Sequence, residues 1–450
     1  MIAQTAEAIE FLNVSPWVAS PPDLQPGLAV ERSVDVAIIG AGFTGLSTAL
    51  ALKRAGVDVV VLERDFAGFG ASGRNAGHLT PTIGKDLPTV LMLFGKRRAA
   101  DLVRFADDAV RCVEDTIRAE RIACDYLPTG NIMAAVHPKQ EGRMRKAAAV
   151  AAEIGARVRF LDGAELRARG VPPAFLSGAL EECGGTLDPG KYVLGLRRAV
   201  LDAGVPLYEQ TPVHEITDGP RPCVRAGTGA IKAERVVLAT NAYTPALGRL
   251  RYTVCPLYVT LFETAPLTSA QLASLGWSGK EGIYTAHESL ESYRLTARGT
   301  IVGGAKAVRY CYGGALNGGP DARTQRLVIG AFRDRFPELA EVAIAHAWGG
   351  WIGMTLHFLP VLGSTGANRN IHYAVGYNGH GVAAATAMGT ILADRLLGRA
   401  NAHADTLTRF VPPIPPEPLR WLMVRGIMSV LDAIDARIDR QVRGGARAPR

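Results

Sequence analysis

Gly40, Gly42 and Gly45 are spaced as G-x-G-x-x-G, and an acid, Glu63, follows 18 residues after the last of them (63 − 45 = 18). Glycines at this spacing with an acid at that remove suit the binding of a dinucleotide. Gly40 makes a tight turn, Gly42 lets the backbone approach a pyrophosphate, and Gly45 lets a helix pack close on a strand. Ala41, Phe43 and Thr44 complete the turn, whose unpaired N–H groups and positive helix end favour phosphate charge. Glu63 is placed to accept hydrogen bonds from the adenosine ribose hydroxyls. A second cluster, Gly68-Phe69-Gly70-Ala71-Ser72-Gly73-Arg74-Asn75-Ala76-Gly77-His78-Leu79, is poor in bulk and carries one Arg, one Asn and one His. Such a segment suits close contact with a planar ligand better than a solvated loop.

The elements that must hold these residues are legible around them. The apolar run Val36–Ile39 predicts a strand, and Leu46, Ala49, Leu50 and Lys53 follow with helical spacing. A second apolar run, Val57–Leu62, ends at Glu63. Strand, glycine turn, helix and second strand are therefore in register with the acid, which makes the motif far more specific than the glycines alone.

With 450 residues, 48% hydrophobic and 20% charged, the chain reads as a globular enzyme of two or three structural units. The net charge of +8 comes from scattered arginines with no basic stripe interleaved with aromatics, so nucleic acid is not an expected partner. The six cysteines show no close ligand spacing, and no metal is expected. The N-terminal MIAQTAEAIEFL lacks a basic n-region, and a cytoplasmic location is expected. Val36–Leu52 and Ile371–Ala393 are nearly uncharged, but glycine turns break both, so they read as βα units and not membrane spans.

Residues 1–32, with Pro16, Pro21, Pro22 and Pro26, predict an extended arm. Helical patterns cover Lys85–Glu120, Gln140–Ile154, Val193–Ala203 and Val382–Leu397. Strand patterns cover Tyr126–Ala135, Thr211–Ile216, Ala233–Thr240, Tyr252–Thr264, Tyr293–Lys306 and Ile371–Tyr377. A proline cluster at 412–418 precedes an amphipathic helix, Leu419–Val442, expected either to cap the enzyme or to touch a membrane surface. The fold class expected is α/β, α+β overall: a Rossmann-type nucleotide-binding domain interleaved with a domain on a mixed or antiparallel sheet. The expected division is 33–85, 150–250 and 345–405 for the first, 86–149 and 251–344 for the second, and 406–450 for a C-terminal extension.

Several stretches together resemble the D-amino-acid-oxidase-like family of flavin enzymes. They are IIGAGFTGLSTAL, GFGASGRNAGHL, GGTLDPGKYVLGL, VVLATNAYT, YRLTARGTIVGG, Trp348–Gly363 and YNGHGVAAATAMG, in family order over roughly residues 14–400. The resemblance implies FAD, a flavin domain interleaved with a substrate domain, and oxidation of a C–N bond in an amine or amino acid by hydride transfer to flavin N5. The imine is hydrolysed afterwards, and the flavin is reoxidised by dioxygen or another electron acceptor.

Residue roles follow from the same resemblance. Ala71, Ser72, Arg74, Asn75, Ala76, Gly77, His78 and Leu79 should pass along the isoalloxazine. Relatives that attach flavin through a histidine do so where Asn75 stands here, and those that use a cysteine do so in the 351–355 stretch, which has none, so FAD should be noncovalent. Gly353, in that stretch, is expected at the flavin. His78 is either a flavin-side hydrogen-bonder or a packed histidine, and Arg64 either reaches the adenine or is a surface charge. Val213 matches a family valine whose backbone clamps adenine, and Thr240 and Asn241 end a strand on the ligand side of the sheet. Gly379, His380, Gly381 and Val382 open a helix whose N–H groups would face flavin N1 and C2=O, where charge accumulates on reduction. On the substrate side, Arg294 stands near the position of a carboxylate-binding arginine and Lys306 near that of a lysine promoting oxygen reaction. His357 replaces a common aspartate, and Tyr258 with Tyr293 would cage an amine. Three alternatives stay open: a dehydrogenase passing electrons to a quinone or carrier protein, a non-catalytic flavin-binding subunit, and a flavin-free NAD(P)-binding protein.

Overall fold

The computed structural model describes residues 9–445 apart from 83, 320 and 409. The ends of the arm (1–8) and of the C-terminal extension (446–450) lie outside the described residues.

Glu31–Ile39 is the central strand of an eight-stranded sheet, flanked in parallel by Gly229–Leu238 and Val59–Leu62. Its apolar run is buried on both faces: Val36 and Ile38 pack into one core cluster, Val34, Ala37 and Ile39 into another. A continuous run without alternation is what a parallel strand covered on both sides requires. Ile371–Val375 joins the sheet beside Gly229–Leu238. Helices Phe43–Arg54 and Gly381–Leu396 cover one face, and they cross closely because Gly389 lacks a side chain. A Cβ there would lie 2.5 Å from the Ser47 Cβ and 2.9 Å from the Thr44 carbonyl oxygen.

The second sheet has nine strands in the order 10–11, 344–354, 255–264, 301–309, 291–295, 282–285, 131–135, 177–181, 158–161. Neighbours run antiparallel except 10–11 on 344–354 and 282–285 on 131–135. Ile132, Phe175, Phe262, Tyr293, Phe332 and Phe336 fill its own core. The topology corrects the expected division at three places. Val158–Leu161 and Ser177–Glu181, grouped by sequence with the nucleotide-binding unit, are edge strands of the nine-stranded sheet. Ile344–Met354, also placed there, pairs along its length with Cys255–Thr264. The arm contributes a strand of its own, Glu10–Phe11.

The long helix Leu87–Ala119 bends at Gly95, which sits at φ 71°. Leu419–Gly445 forms the last helix. No described helix is long and apolar enough to cross a membrane. All six cysteines are free.

Candidate active site

The two sheets enclose one cavity of about 1330 Å³. Its first end is the glycine turn. Gly40 has φ +103°, and its N–H donates to the Leu62 carbonyl at 2.8 Å, which ties the turn to the second strand. A Cβ on Gly45 would lie 1.9 Å from the Gly40 carbonyl oxygen, and one on Gly42 would lie 2.7 Å from the Ser72 Oγ. Gly45 thus lets the helix pack against the turn, and Gly42 leaves its backbone bare in the cavity wall. Glu63 accepts from the Ala41 N–H at 2.8 Å and from the Asp65 N–H at 3.1 Å. Burial raises its carboxyl above the ordinary range against those two bonds. Ser72 Oγ accepts from the Phe43 N–H at 3.0 Å. Val213, Thr240, Asn241 and Tyr243 complete this end of the wall. Arg64 lies over the rings of Phe69 and Tyr243 while pairing with Asp65 at 2.9 Å.

The middle of the cavity lies between the 71–78 loop and the start of helix Gly381–Leu396. Asn75 closes the loop on itself, donating to Ser72 O at 2.7 Å and accepting from the Gly77 N–H at 2.9 Å. Arg74 donates to the Phe69 and Gly349 carbonyls, and burial pulls its guanidinium down. His78 Nδ1 meets Asn131 Oδ1 at 3.0 Å. Because the Asn131 amide nitrogen donates to the Leu79 and Gly185 carbonyls, its oxygen is the acceptor, and His78 Nδ1 must carry the proton. Nε2 is then a bare acceptor, buried and without a hydrogen-bond partner among the described residues. Burial pushes His78 down to about 4, so the ring is neutral. Opposite, Gly379 adopts φ +85°, and His380 donates from Nδ1 to the Asn378 carbonyl at 3.1 Å. Gly381 and Val382 follow in the cavity wall. Thr44 and Tyr377, hydroxyl to hydroxyl at 2.6 Å, link this helix start to the glycine turn.

Ala41, Gly45, Leu79 and Gly353 stand behind the wall rather than in it. Their part is support: Gly353, for example, leaves room for the Asn241 side chain, whose oxygen accepts from the Gly376 N–H at 2.9 Å.

The substrate-side expectations fare differently. Cys255, Leu257, Val259 and Leu261 line the cavity, so strand alternation turns Tyr258 to the opposite face, against Trp351 and under Arg309. Tyr293 is 1% exposed within the core of the nine-stranded sheet and donates to Glu291. These two tyrosines therefore form no cage. Arg294 is also withdrawn: it donates to the Ala76 carbonyl, lies over Trp17, and supports the 71–78 loop from beneath. Burial brings its guanidinium down to about 10. His357 contacts Thr355 Oγ1 at 3.1 Å and accepts from the Leu359 N–H, while its neighbours Leu356 and Phe358 face the cavity.

Lys306 does reach the wall, but its ammonium is engaged. It donates to Glu291 and to Asp439 at 2.7 Å each, and Arg335 pairs with the same two carboxylates at 2.9 Å. Burial alone would depress the ammonium, yet the carboxylates hold it above the ordinary lysine range. Lys306, expected near the position of a lysine promoting oxygen reaction, is thus held within an ion-pair cluster. His287, Glu291 and Asp439 are also close enough to share an ion, but the two cations already balance the two carboxylates.

Sequence reasoning missed Asn131, which fixes the His78 tautomer across 53 residues. Of the two roles expected for the last helix, capping is the one seen: Met423, Val424, Ile427, Met428 and Leu431 form part of the cavity wall. Asp435 accepts from the Glu288 and Ser289 N–H groups at 2.9 and 2.8 Å, and Asp439 joins the Lys306 cluster, so this helix caps the chamber.

Comparison with known proteins agrees with this geometry. Residues 35–395 match the family described as FAD dependent oxidoreductase. The chain is 31% identical over 394 residues to the gamma-glutamylputrescine oxidoreductase of Escherichia coli, covering 86% of this chain and 89% of that protein. It is 27% identical over 426 residues to a D-amino acid dehydrogenase of Methylobacterium nodulans, covering 82% and 97%. Among solved structures, glycine oxidase from Geobacillus kaustophilus shares the fold with a TM-score of 0.71 at 20% identity, over 84% of this chain and 99% of that one. L-amino acid deaminase from Proteus vulgaris shares it with a TM-score of 0.69 at 16% identity, over 86% and 100%.

Proposed function

The chain belongs to the family of FAD dependent oxidoreductases, and on that premise we propose that it oxidises the C–N bond of an amine or amino acid. FAD, held noncovalently, would supply the acceptor for a hydride from the carbon of the C–N bond, with dioxygen as the final electron acceptor giving hydrogen peroxide. As the hydride leaves, the nitrogen lone pair closes the C=N bond and an N–H proton is released, giving an imine that water then splits to a carbonyl and the free amine or ammonia. The observation that carries the reading is one cavity running from the Gly40 turn, past His78 and Gly381, to the nine-stranded sheet.

This chain's residues fit FAD. Gly42 leaves bare backbone where a pyrophosphate needs close approach, since a Cβ would strike Ser72. Glu63, tied to the Ala41 N–H, presents a carboxylate at the ribose position. The helix start at Gly381 directs N–H groups and a positive dipole end toward the middle of the cavity, where they stabilise negative charge. Neutral His78 offers Nε2 as an acceptor there, and Asn131 holds its orientation. Val382 adds an apolar side chain to the wall of the same region. The relatives named for gamma-glutamylputrescine, D-amino acids, glycine and L-amino acids support a nitrogen-bearing substrate.

A second reading sends the electrons to a quinone or carrier protein. The engagement of Lys306 by Glu291 and Asp439 favours it, because that cation is then not available to stabilise reduced-oxygen charge. An anaerobic bleaching screen of the purified yellow protein against amines and D-, L-, cyclic and N-methyl amino acids tests both. Bleaching by one class with rapid recovery in air, and peroxide formed, is the expected result. Bleaching with slow recovery selects the second reading, and a flavin that no amine bleaches refutes both.

A further inference from the structure

Five glutamates are buried among the described residues: Glu181, Glu209, Glu263, Glu281 and Glu291. Four of them face an arginine. Glu209 pairs with Arg197 at 2.8 Å, Glu263 with Arg298 at 2.6 Å, Glu281 with Arg169 at 2.7 Å and Glu291 with Arg335 at 2.9 Å. Glu181, 8% exposed, has no such partner among the described residues. Its Oε1 accepts from the Tyr284 hydroxyl at 2.5 Å, and its Oε2 is buried with no hydrogen-bond partner. The charged group acting on it is a second carboxylate, Asp107. Arg143, which also lines the cavity, is already engaged by Asp86, Glu288 and the Ala286 carbonyl. A bare carboxylate oxygen in a buried site is costly unless a donor fills it.

The position of this oxygen is informative. Glu181 stands directly opposite Asn131 in an antiparallel strand pair, so the two side chains share a face of the sheet. Asn131 holds His78, and His78 belongs to the loop on the flavin side of the cavity. Gly282, the strand neighbour on the other side of Asn131, keeps that spot open: a Cβ there would lie 2.4 Å from His78 Nδ1. Met133, Ala179 and Tyr284 line the cavity beside Glu181 and offer apolar contact to a methylene chain.

We propose that the Glu181 carboxylate, with Oε1 steadied by Tyr284, is the recognition site for an alkylammonium group of the substrate. The ammonium N–H groups fill Oε2 and supply the cation that the other four buried glutamates find within the chain. This deepens the reading of an amine substrate and rests on it. Burial raises Glu181 to about 7, so the carboxyl is partly protonated at neutral pH and a bound cation completes its ionisation. The ammonium is either that of a second nitrogen on the same molecule or that of the reacting nitrogen, in which case the Glu181 carboxylate takes its proton and frees the lone pair before the hydride leaves.

The test uses the flavin-loaded full chain, wild type and Glu181→Gln, with flavin content and circular dichroism confirming that both are folded. Titration calorimetry with tert-butylammonium, which has no hydrogen on its nitrogen-bearing carbon and so cannot be oxidised, gives a Kd independent of turnover. We expect binding to weaken about tenfold or more in Glu181→Gln, the loss of one buried charge-assisted hydrogen bond. An equal Kd, or no binding by the wild type, overturns the proposal. The steady-state arm then separates the sources. Loss of kcat/KM for diamines alone assigns the second nitrogen, and loss for monoamines as well, with a shift of the acid limb of the pH profile, assigns the reacting one. Unchanged kcat/KM for both overturns the proposal. If no amine bleaches the wild-type flavin, the oxidation reading fails while the calorimetric result still decides this one.

Discussion

Asp439→Asn keeps the volume of the side chain and removes one charge from the cluster of Glu291, Asp439, Lys306 and Arg335. In the wild type two carboxylates face two cations, and Asp439 is only 14% exposed. With the charge removed, Lys306 and Arg335 share Glu291 alone, and one positive charge is left over in a buried site. Breaking a buried pair by removing one partner costs about 3–5 kcal/mol, and the residual exposure of Asp439 places this case near the lower end, about 3 kcal/mol. Asp439 is carried by helix Leu419–Gly445, so the cost falls on the docking of that helix. The undocked population should rise roughly 150-fold, since 1.4 kcal/mol is a factor of ten. Limited proteolysis within residues 419–445 reads this population directly when closing outpaces cleavage. A cleavage rate within twofold of the wild type would refute the reasoning. Acid offers an independent check. Burial would raise Asp439's carboxyl, but His287 and Lys306 hold it well below the ordinary carboxylate range. A depressed carboxylate contributes stability above its unfolded pKa of about 3.9 and loses it as pH falls through the folded value. Wild-type helix docking should therefore weaken below about pH 4, and that acid sensitivity should be blunted in Asp439→Asn.

Gly45→Val should yield a chain that purifies without yellow colour, because its Cβ would lie 1.9 Å from the Gly40 carbonyl oxygen. The overpacking cost of about 3 kcal/mol corresponds to roughly 150-fold weaker FAD binding, measured by flavin fluorescence. Arg294→Met should weaken FAD retention by about 1–3 kcal/mol through loss of the bond to the Ala76 carbonyl. The kcat/KM ratio of an amino acid to its decarboxylated amine should stay at the wild-type value, and a selective loss for the amino acid would restore Arg294 as a carboxylate binder. His78, lowered to about 4 by burial, stays neutral in the fold while the unfolded chain protonates below about pH 6.5. Stability should therefore fall as pH drops from about 6.5 toward 4, and His78→Asn should flatten that slope in melting temperature against pH.

The nucleotide end was legible because its constraints are local. A turn that forbids side chains and an acid one strand later are both written within Gly40–Glu63, and the fold brings them together, with Glu63 accepting from the Ala41 N–H. The substrate side was less legible because burial on both faces erases the signal of direction. Cys255–Val259 is an unbroken apolar run, so nothing in it tells that Leu257 and Val259 face the cavity while Tyr258 faces away. Glu291–Leu295 is buried at every position, which hides the turn of Arg294 toward the loop. Ala305 and Lys306 both adopt positive φ, 71° and 51°, within a strand whose register with 255–264 shifts nearby. That irregularity re-aims Lys306 in a way a two-residue period does not encode. Arg335 lies 44 residues from Glu291 and 104 from Asp439, the two carboxylates it joins, and composition carries no trace of such pairings.

The last helix divides its labour along its length. Met423 to Leu431 touch the chamber, while Asp435 and Asp439 fasten the helix to the 287–289 turn and the Lys306 cluster. Contact and attachment are thus separate modules. Met423 and Val424 also pack on Cys255 and Leu257 of the nine-stranded sheet, whereas Ile427, Met428 and Leu431 can be exchanged without touching the glycine turn or the clasp. Within such a scaffold the shape of the chamber can drift while the redox apparatus is inherited intact, and libraries confined to those three positions would explore the range of accepted molecules at little risk to folding.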